Sequence, residues 1–232
     1  MPSFLYNIEP FMGTGERNAA GQTLEEFLDV YDPRKYETPS CTTDAVIFLQ
    51  EGVLNRELAG LKLLLVKRSN HPSIGCWALP GGFANMRENL DDTAKRELQE
   101  ETGASGLPME QIATYGDYNR DPRTRVITTA YMSLIQANDY KIQAADDAAD
   151  AAWCDIMLEE SFVGEDCGEL RYKYLLTICS KEKGFRTEAI VERKLRKGII
   201  REEKYTVKEA GMTAVDHAAI IVHALCILKQ RL

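Results

Sequence analysis

Three glutamates at helical spacing are the residues of this chain whose types and positions most clearly suggest chemistry. Glu97, Glu100 and Glu101 occupy positions i, i+3 and i+4, so a helix would place all three carboxylates on one face. Like charges at this spacing repel by roughly a few tenths of a kcal/mol per pair, and a bound cation would remove that cost. Carboxylate oxygens are hard ligands that suit Mg²⁺ or Mn²⁺. The alternative is a solvated acidic helix face that binds no metal.

The neighbouring residues favour metal binding over a solvated face. The same helix would carry an apolar stripe, formed by Leu90, Ala94 and Leu98. Glu97 and Glu101 border this stripe, so they are expected to be partly sheltered from water when the helix packs on a core. Just upstream, Gly81-Gly82 permits a tight backbone turn whose carbonyls could face the same ion.

Strands and a second long helix would position this helix face. Asn89 can cap the glutamate-bearing helix, and Gly103 can end it in a left-handed conformation. Strands are predicted at 45–49, 61–67, 112–118 and 126–135, a hairpin or small extra sheet at about 169–208, and a last helix at 213–230. Strands first, one central helix and one final helix indicate a mixed α/β sandwich.

The first 40 residues are predicted to form an N-terminal helical extension. Thr23 and Glu26 have capping-box spacing, and a short helix is expected to follow and to end before Pro33. Phe27 and Tyr31 would give this helix apolar surface that needs cover, so the segment could be an arm exchanged between copies of the chain.

The run from Gly82 to Ala104, GFANMRENLDDTAKRELQEETGA, resembles the Nudix box, G-x5-E-x7-R-E-U-x-E-E-x-G-U, in which U is a bulky aliphatic residue. The residues in register are Gly82, Glu88, Arg96, Glu97, Leu98, Glu100, Glu101 and Gly103. Ala104 alone departs from the pattern, which concerns packing rather than metal binding. The resemblance extends to the entry segment WALPGG, to Trp153, and to Asp216-His217-Ala218 before the last helix.

Nudix enzymes hydrolyse a nucleoside diphosphate that is linked to another group. The resemblance implies that Glu97, Glu100 and Glu101 hold divalent metals with help from the backbone carbonyl of Gly82, and that Arg96 orients the glutamates. The metals would lower the pKa of a bound water and stabilise the transition state. The resemblance also implies an α/β fold, a Nudix-type α/β/α sandwich with a mixed sheet, over residues 41–232.

A general base often comes, in this family, from the loop before the tryptophan-bearing strand. Here that loop holds Asp146 and Asp147, which are the candidates for the base. A solvated acidic turn explains them equally well, since family members frequently use the longer glutamate there.

Three arginines in the segment NRDPRTR could bind phosphate through their guanidinium forks. They are Arg120, Arg123 and Arg125, and Arg68 in a loop near the box is a fourth candidate for substrate binding. A charged surface turn is the alternative. The R-D-P-R segment resembles the ADP-ribose pyrophosphatase branch and its regulator relatives, which implies hydrolysis of ADP-ribose to AMP and ribose 5-phosphate. Family members often form homodimers, so a homodimer is expected.

Charge and composition bear on partners and location. The formal net charge of −8 argues against a general nucleic-acid coat protein, although residues 171–208 hold 12 basic against 5 acidic residues. We interpret that segment as a solvated hairpin or a surface that faces the acidic remainder, so nucleic acid is not an expected partner. No apolar run reaches the roughly 20 residues that a bilayer requires. The six cysteines are scattered, and a cytoplasmic location is expected.

Two other functions compete with a Nudix pyrophosphatase. The first is a Nudix-like transcription regulator that senses a nucleotide without catalytic turnover. Such regulators carry a further domain after the last Nudix helix, whereas this sequence ends at Leu232 and keeps the full carboxylate set, so the hydrolase is favoured. The second is a hydrolase of capped or other RNA ends, which would share the chemistry and use the basic segment.

Overall fold

The computed structural model describes residues 4–103, 105–136 and 151–232, and the chain divides into two units, Met1–Thr38 and Pro39–Leu232. The smaller unit contains a short 3-10 turn, Glu9–Phe11, and helix α1, Leu24–Val30. The Thr23 hydroxyl accepts a hydrogen bond from the Glu26 amide, and the Glu26 carboxylate accepts one from the Thr23 amide. This reciprocal cap is the one that the sequence spacing predicts, and α1 ends before Pro33.

The larger unit is built on a mixed sheet that has ten strands in the described ranges. The strands are β1 (Ser40–Gln50), β2 (Leu61–Lys67), β3 (Trp77–Ala78), β4 (Gly81–Phe83), β5 (Glu110–Tyr115), β6 (Val126–Gln136), β7 (Ala151–Asp166), β8 (Glu169–Ser180), β9 (Phe185–Arg196) and β10 (Glu202–Glu209). Their order is β10-β9-β8-β7-β2-β1-β6-β5, while β3 pairs with β2 and β4 with β1. The β1–β6 pair is parallel and the other pairs are antiparallel.

Two helices, α2 (Leu90–Thr102) and α3 (His217–Arg231), cover opposite faces of this sheet. Successive residues of a strand point to opposite faces, so β1 serves both layers. Its Ala45 and Ile47 pack with Leu98 of α2, whereas Val46 and Phe48 belong to the core that α3 closes. The predicted α/β class with a mixed sheet is therefore confirmed.

The ends of the two helices differ in part from the predictions. Gly103 ends α2 with a left-handed φ of 72° as expected, but the Asn89 side chain bonds to Asp92 and not to the helix backbone. The last helix begins at His217 rather than at residue 213. The reason is that the residues just before it pair with β3: the Ala214 amide donates to the Trp77 carbonyl at 2.9 Å.

Residues 169–208 do not form a separate sheet but continue the main one beyond β7. Strand β9 runs antiparallel to both of its neighbours, β8 and β10, and one face of these strands packs on α3 through residues that include Tyr174, Leu176, Ile178 and Val191. The short strands β3 and β4 were not predicted, and β5 ends at Tyr115 instead of residue 118. No helix in the described ranges has both the length and the apolar character needed to cross a bilayer.

Candidate functional site

The glutamate-bearing face of α2 lies directly against the glycine turn of β4. The Gly81 amide donates a 2.9 Å hydrogen bond to Oε2 of Glu101, which ties the turn to the end of α2. At Gly82 a Cβ atom would overlap the Glu97 carboxylate. Only glycine leaves room for this approach, so the sequence Gly-Gly brings backbone carbonyls and two carboxylates into one small region.

Arg96 organises the acidic side chains around one guanidinium. It forms a two-pronged ion pair with Glu88, with distances of 2.8 Å from Nε and 2.9 Å from Nη2. Its Nη1 donates to Glu97 at 2.6 Å and to Glu100 at 3.1 Å, and its Nη2 also donates to the Phe83 carbonyl. The arginine hydrogen bonds hold the pKa of Glu88 down to about 2. This one side chain therefore offsets the repulsion among the carboxylates and fixes where they lie.

The three predicted ligands differ in exposure and are not gathered at one point. The Glu97 side chain is 15% exposed and that of Glu100 is 59% exposed. Only the side of α2 that borders its apolar stripe is therefore protected from solvent. Within the described residues, no three side chains of metal-binding types converge. The geometry gives the reason, because Glu97 and Glu100 turn to Arg96 while Glu101 turns to the Gly81 amide.

Glu101 is the acidic residue at this site whose pKa is strongly raised. Burial raises the pKa of its carboxyl to about 7, against the opposing effect of the Gly81 hydrogen bond. The nearby charges of Glu97 and Asp44 raise the pKa further, and Arg68 lowers it. A buried carboxyl with acidic neighbours is a position where a cation would be stabilised.

The donor set at the β4–α2 junction fits a hard divalent metal ion. Glu97 and Glu101 offer carboxylate oxygens and Gly82 offers a backbone carbonyl, and the Glu97 carboxylate lies so close to Gly82 that a Cβ there would overlap it. These are the oxygen ligands that Mg²⁺ and Mn²⁺ take. Oε2 of Glu97 and Oε1 of Glu101 take no part in the hydrogen bonds described above.

A cleft of about 210 Å³ adjoins this junction, and we call it the arginine cleft. Its walls include Gly82 and three of the four arginines predicted to bind substrate, Arg68, Arg120 and Arg123. Arg125 does not line it; this residue accepts a hydrogen bond from the Ser40 amide through its carbonyl. A predicted metal ligand and three predicted substrate-binding arginines thus border one concave surface.

The cleft arginines already have protein partners. The Arg120 side chain is 8% exposed and donates two hydrogen bonds to Asp216. Its Nε lies 2.9 Å from Oδ2 and its Nη2 lies 3.0 Å from Oδ1. Arg123 pairs in the same two-pronged way with Asp121 and lies 5.4 Å from the centre of the Phe83 ring. Arg68 donates to the Pro72 carbonyl. A bound anion would meet guanidinium groups whose orientation is set in advance.

Sequence reasoning missed a buried polar group next to the arginine cleft. Asp44 of β1 accepts a 2.7 Å hydrogen bond from the Thr128 hydroxyl, and its other oxygen lies 3.8 Å from Nε2 of His217. The His217 ring in turn accepts the Leu79 amide at 2.8 Å. The available signal was one acidic residue inside the otherwise buried run of β1, since buried charges require partners.

Other predicted residues are not gathered at this site. Asp146 and Asp147, the candidates for the general base, lie outside the described residues. His71 is exposed and does not line the arginine cleft.

Many of the basic residues in segment 171–208 form ion pairs with acidic residues of the same chain. Arg171 and Lys194 pair with Glu169, Lys204 pairs with Asp117, and Lys208 pairs with Glu192. The surface therefore alternates in charge, which favours the interpretation of a solvated segment that faces acidic parts of the same chain.

The comparisons with known proteins agree with the geometry. A family model described as NUDIX domain matches residues 46–162. The chain is 37% identical over 121 residues to the ADPR responsive transcriptional repressor NtrR of Acinetobacter baylyi, an alignment that covers 51% of this chain and 46% of that protein. It is 38% identical over 95 residues to the ADP-ribose pyrophosphatase of Methanocaldococcus jannaschii, with 41% and 55% covered. The chain thus spans about half the length of the curated relatives it matches.

A solved structure matches more of the chain. The crystal structure of a MutT/nudix family protein from Enterococcus faecalis superimposes with a TM-score of 0.56 at 32% sequence identity. The match covers 88% of this chain and 68% of that one, so it extends well beyond the part that the family model recognises.

Proposed function

Because this chain belongs to the NUDIX family, we propose that it is a metal-dependent pyrophosphatase that hydrolyses ADP-ribose to AMP and ribose 5-phosphate. The observation that carries the proposal is the junction of Gly82, Glu97 and Glu101 beside the arginine cleft. In this arrangement a divalent metal and the phosphates of the substrate would lie side by side. Similarity to a protein named ADP-ribose pyrophosphatase supports the choice of substrate.

The residues at the junction would hold Mg²⁺ or Mn²⁺, and family members generally use divalent metals. Glu97, Glu100 and Glu101 would supply carboxylate oxygens and Gly82 its carbonyl. When bound, the metal would offset the negative charge of the diphosphate and lower the pKa of the attacking water. Arg96 keeps Glu97 and Glu100 in place by hydrogen bonds to Oε1 of Glu97 and Oε2 of Glu100, and the other oxygen of each carboxylate would hold the cation.

The arginine cleft would bind and orient the diphosphate. Arg68 and Arg123 present guanidinium groups at its wall, and Arg120 is held rigidly by Asp216. Guanidinium groups that are already oriented need little rearrangement when negative charge develops on the phosphoryl oxygens. Donors of this kind stabilise the transition state of phosphoryl transfer. The proton of the attacking water requires a base, for which Asp146 and Asp147 remain the candidates.

Location and assembly are further parts of the proposal. The six cysteines are free thiols, which suits a reducing compartment such as the cytoplasm. A homodimer is also proposed, and light scattering of the purified chain tests it, since a mass near 26.1 kDa would exclude a dimer.

A second candidate function is nucleotide sensing in transcription. The similarity to a repressor named as ADPR responsive favours it, because the same cleft could bind ADP-ribose without hydrolysing it. The two candidates differ in turnover and in DNA binding. A gel-shift titration at physiological salt with and without ADP-ribose addresses the second candidate, which predicts binding that the nucleotide alters.

The experiment that tests the main proposal is a Mg²⁺-dependent product screen. The panel holds ADP-ribose, nucleotide sugars, dinucleotides, nucleoside triphosphates and capped RNA, and products are separated by chromatography. The proposal predicts that ADP-ribose is the preferred substrate and that chelation with EDTA abolishes its cleavage. Preference for capped RNA would support hydrolysis of RNA ends, and silence across the panel would favour the sensor.

A further inference from the structure

The connection between β9 and β10 exposes two isoleucines, and we call residues 197–201 the isoleucine tip. Ile199 is fully exposed and Ile200 is 86% exposed. Connections of this kind normally hold Gly, Asn, Asp or Ser, whereas branched apolar side chains suit a packed strand. The connection itself therefore does not require isoleucine at these two positions, and contact with a partner would.

Cations flank the two isoleucines. Arg196 and Lys197 precede them and are exposed, and neither has an ion pair among the residues that the structure describes. Arg201 follows them and donates a 3.2 Å hydrogen bond to Oε1 of Gln230, so the isoleucine tip lies beside the last turn of α3. Because like charges repel, contact between two isoleucine tips is disfavoured.

An apolar pocket of about 450 Å³ lies at the same end of α3, and we call it the helix-end pocket. Two of its lining residues are charged, Glu110 and Arg231, and they form two hydrogen bonds with each other, of 2.7 and 2.6 Å. Its charges thus compensate each other above an apolar interior, which suits an apolar side chain better than a charged ligand. The apolar lining includes Phe48, Leu54, Met109, Met132, Leu228 and Leu232.

The isoleucine tip and the helix-end pocket flank the end of α3 on its two sides. Arg201 contacts Gln230 on the side of β10, and the next residue of the helix, Arg231, contacts Glu110 at the start of β5. Strands β10 and β5 stand at opposite ends of the sheet order. A twofold axis in front of the end of α3 would therefore set each tip opposite the pocket of a second copy, so that the same contact forms twice.

We propose that two copies of this chain pair at this end, with the isoleucine tip of each seated in the helix-end pocket of the other. The inference rests on the homodimer of the proposed function and names its surface. Seating Ile199 and Ile200 in the pocket removes apolar surface of both copies from water. The cations of each tip then lie at a rim where Glu110 and Arg231 are paired, and not against the cations of the other tip.

The first test measures the mass of the native chain and of three variants by light scattering. Ile199→Ser/Ile200→Ser removes the apolar tip at exposed positions, where the fold should tolerate the change. Leu232→Lys adds a cation to the helix-end pocket, where it would meet the cations of the partner's tip. Ile74→Ser/Met86→Ser is the matched control, since both residues are exposed and lie outside the tip and the pocket. Circular dichroism checks that each variant is folded.

We expect the native chain and the control to have twice the chain mass of 26.1 kDa. The tip variant and the pocket variant should be monomers at the same concentration. Their dimer dissociation constants should rise by about 100-fold or more, because a few buried side chains carry most of the energy of an interface.

Mixing the tip variant with the pocket variant tests the pairing itself. The tip variant keeps an intact pocket and the pocket variant keeps an intact tip, so a mixed dimer regains one of the two contacts while neither homodimer has any. Native mass spectrometry separates the three dimers because the variants differ in mass. We expect mixed dimers to exceed the two homodimers together by about tenfold or more. Equal amounts, as random pairing gives, or an absence of mixed dimers would overturn the inference.

The outcomes separate this inference from the proposal on which it rests. A native chain that is monomeric would overturn both the homodimer and this surface. A dimer that persists in the tip variant would overturn this surface alone. Neither result bears on hydrolysis, since the helix-end pocket and the arginine cleft share no lining residue in the described part of the chain.

Discussion

The main-chain amide of Leu79 donates a 2.8 Å hydrogen bond to Nδ1 of His217, across 138 positions of sequence. Because Nδ1 accepts, the ring proton lies on Nε2, which is 3.8 Å from Oδ1 of Asp44. This contact fastens the turn that leads to Gly81 and Gly82 to the first residue of α3. The glycine turn, and with it the proposed metal site, therefore depends on a helix from the other layer.

Replacing His217 tests that dependence. In His217→Leu the buried Leu79 amide loses its acceptor, which should cost about 1–3 kcal/mol in the free energy of unfolding. His217→Asn keeps a side-chain oxygen that can accept this hydrogen bond, so it should lose less. Urea denaturation of both variants measures the difference. If the two variants were equally stable, the hydrogen bond would not be what holds the turn.

Arg120 should contribute to stability and to substrate binding separately. Arg120→Met leaves the partly exposed Asp216 without its charged partner and should lower the free energy of unfolding by about 1–3 kcal/mol. The double variant Arg120→Met/Asp216→Leu removes both charges and should recover much of that stability. Activity should not recover, because the guanidinium that borders the arginine cleft is still missing. Recovery of activity along with stability would reduce Arg120 to a structural role.

Gly82→Ala should impair metal binding because the added Cβ would overlap the Glu97 carboxylate. We expect affinity for Mn²⁺, measured by electron paramagnetic resonance, to fall by about 10- to 100-fold. Gly116→Ala is the matched control, since a Cβ there would meet only Ile127, at 3.9 Å, and should leave Mn²⁺ affinity unchanged. Equal affinities in both variants would place the metal elsewhere.

Acid stability should depend on Glu88. Hydrogen bonds from Arg96 lower the pKa of Glu88 to about 2 in the folded chain, below the value of about 4.3 expected for an unfolded glutamate. The ionised form therefore stabilises the fold fully above pH 4.3, and this contribution disappears as the pH falls towards 2. The native chain should be more stable than Glu88→Gln at pH 7, and the difference should shrink in urea titrations between pH 4.5 and 2.5. A difference that does not vary with pH would contradict the assignment.

Local sequence rules predicted much of the fold because they act over short distances. The α1 cap needs only Thr23 and Glu26, and the end of α2 needs only the left-handed freedom of Gly103. The start of α3 was placed too early because residues 212–214 pair with β3, a contact that depends on residues far away in sequence. Continuation of the main sheet through β8–β10 was missed for the same reason.

In the candidate site, too, the features set by residues close together in sequence were predicted, and the contacts between distant residues were not. Helical spacing put Glu97, Glu100 and Glu101 on one face, and two of the three predicted arginines that follow β5 reach the neighbouring cleft. The spacing could not reveal that Arg96 would hold two of those glutamates, nor that Asp44 and His217 would meet beside them. Those contacts join strands and helices whose packing is decided by the whole core.

The most direct test of the account is the rate of ADP-ribose hydrolysis with increasing Mg²⁺ for the native chain and for Glu101→Gln. The glutamine keeps an oxygen that can accept the Gly81 amide, so the fold should persist while the carboxylate charge is lost. We predict Mg²⁺-dependent formation of AMP and ribose 5-phosphate by the native chain, and a loss of at least about 100-fold in the folded variant. Hydrolysis that proceeds in EDTA, or that survives Glu101→Gln at the native rate, would contradict the proposed metal site.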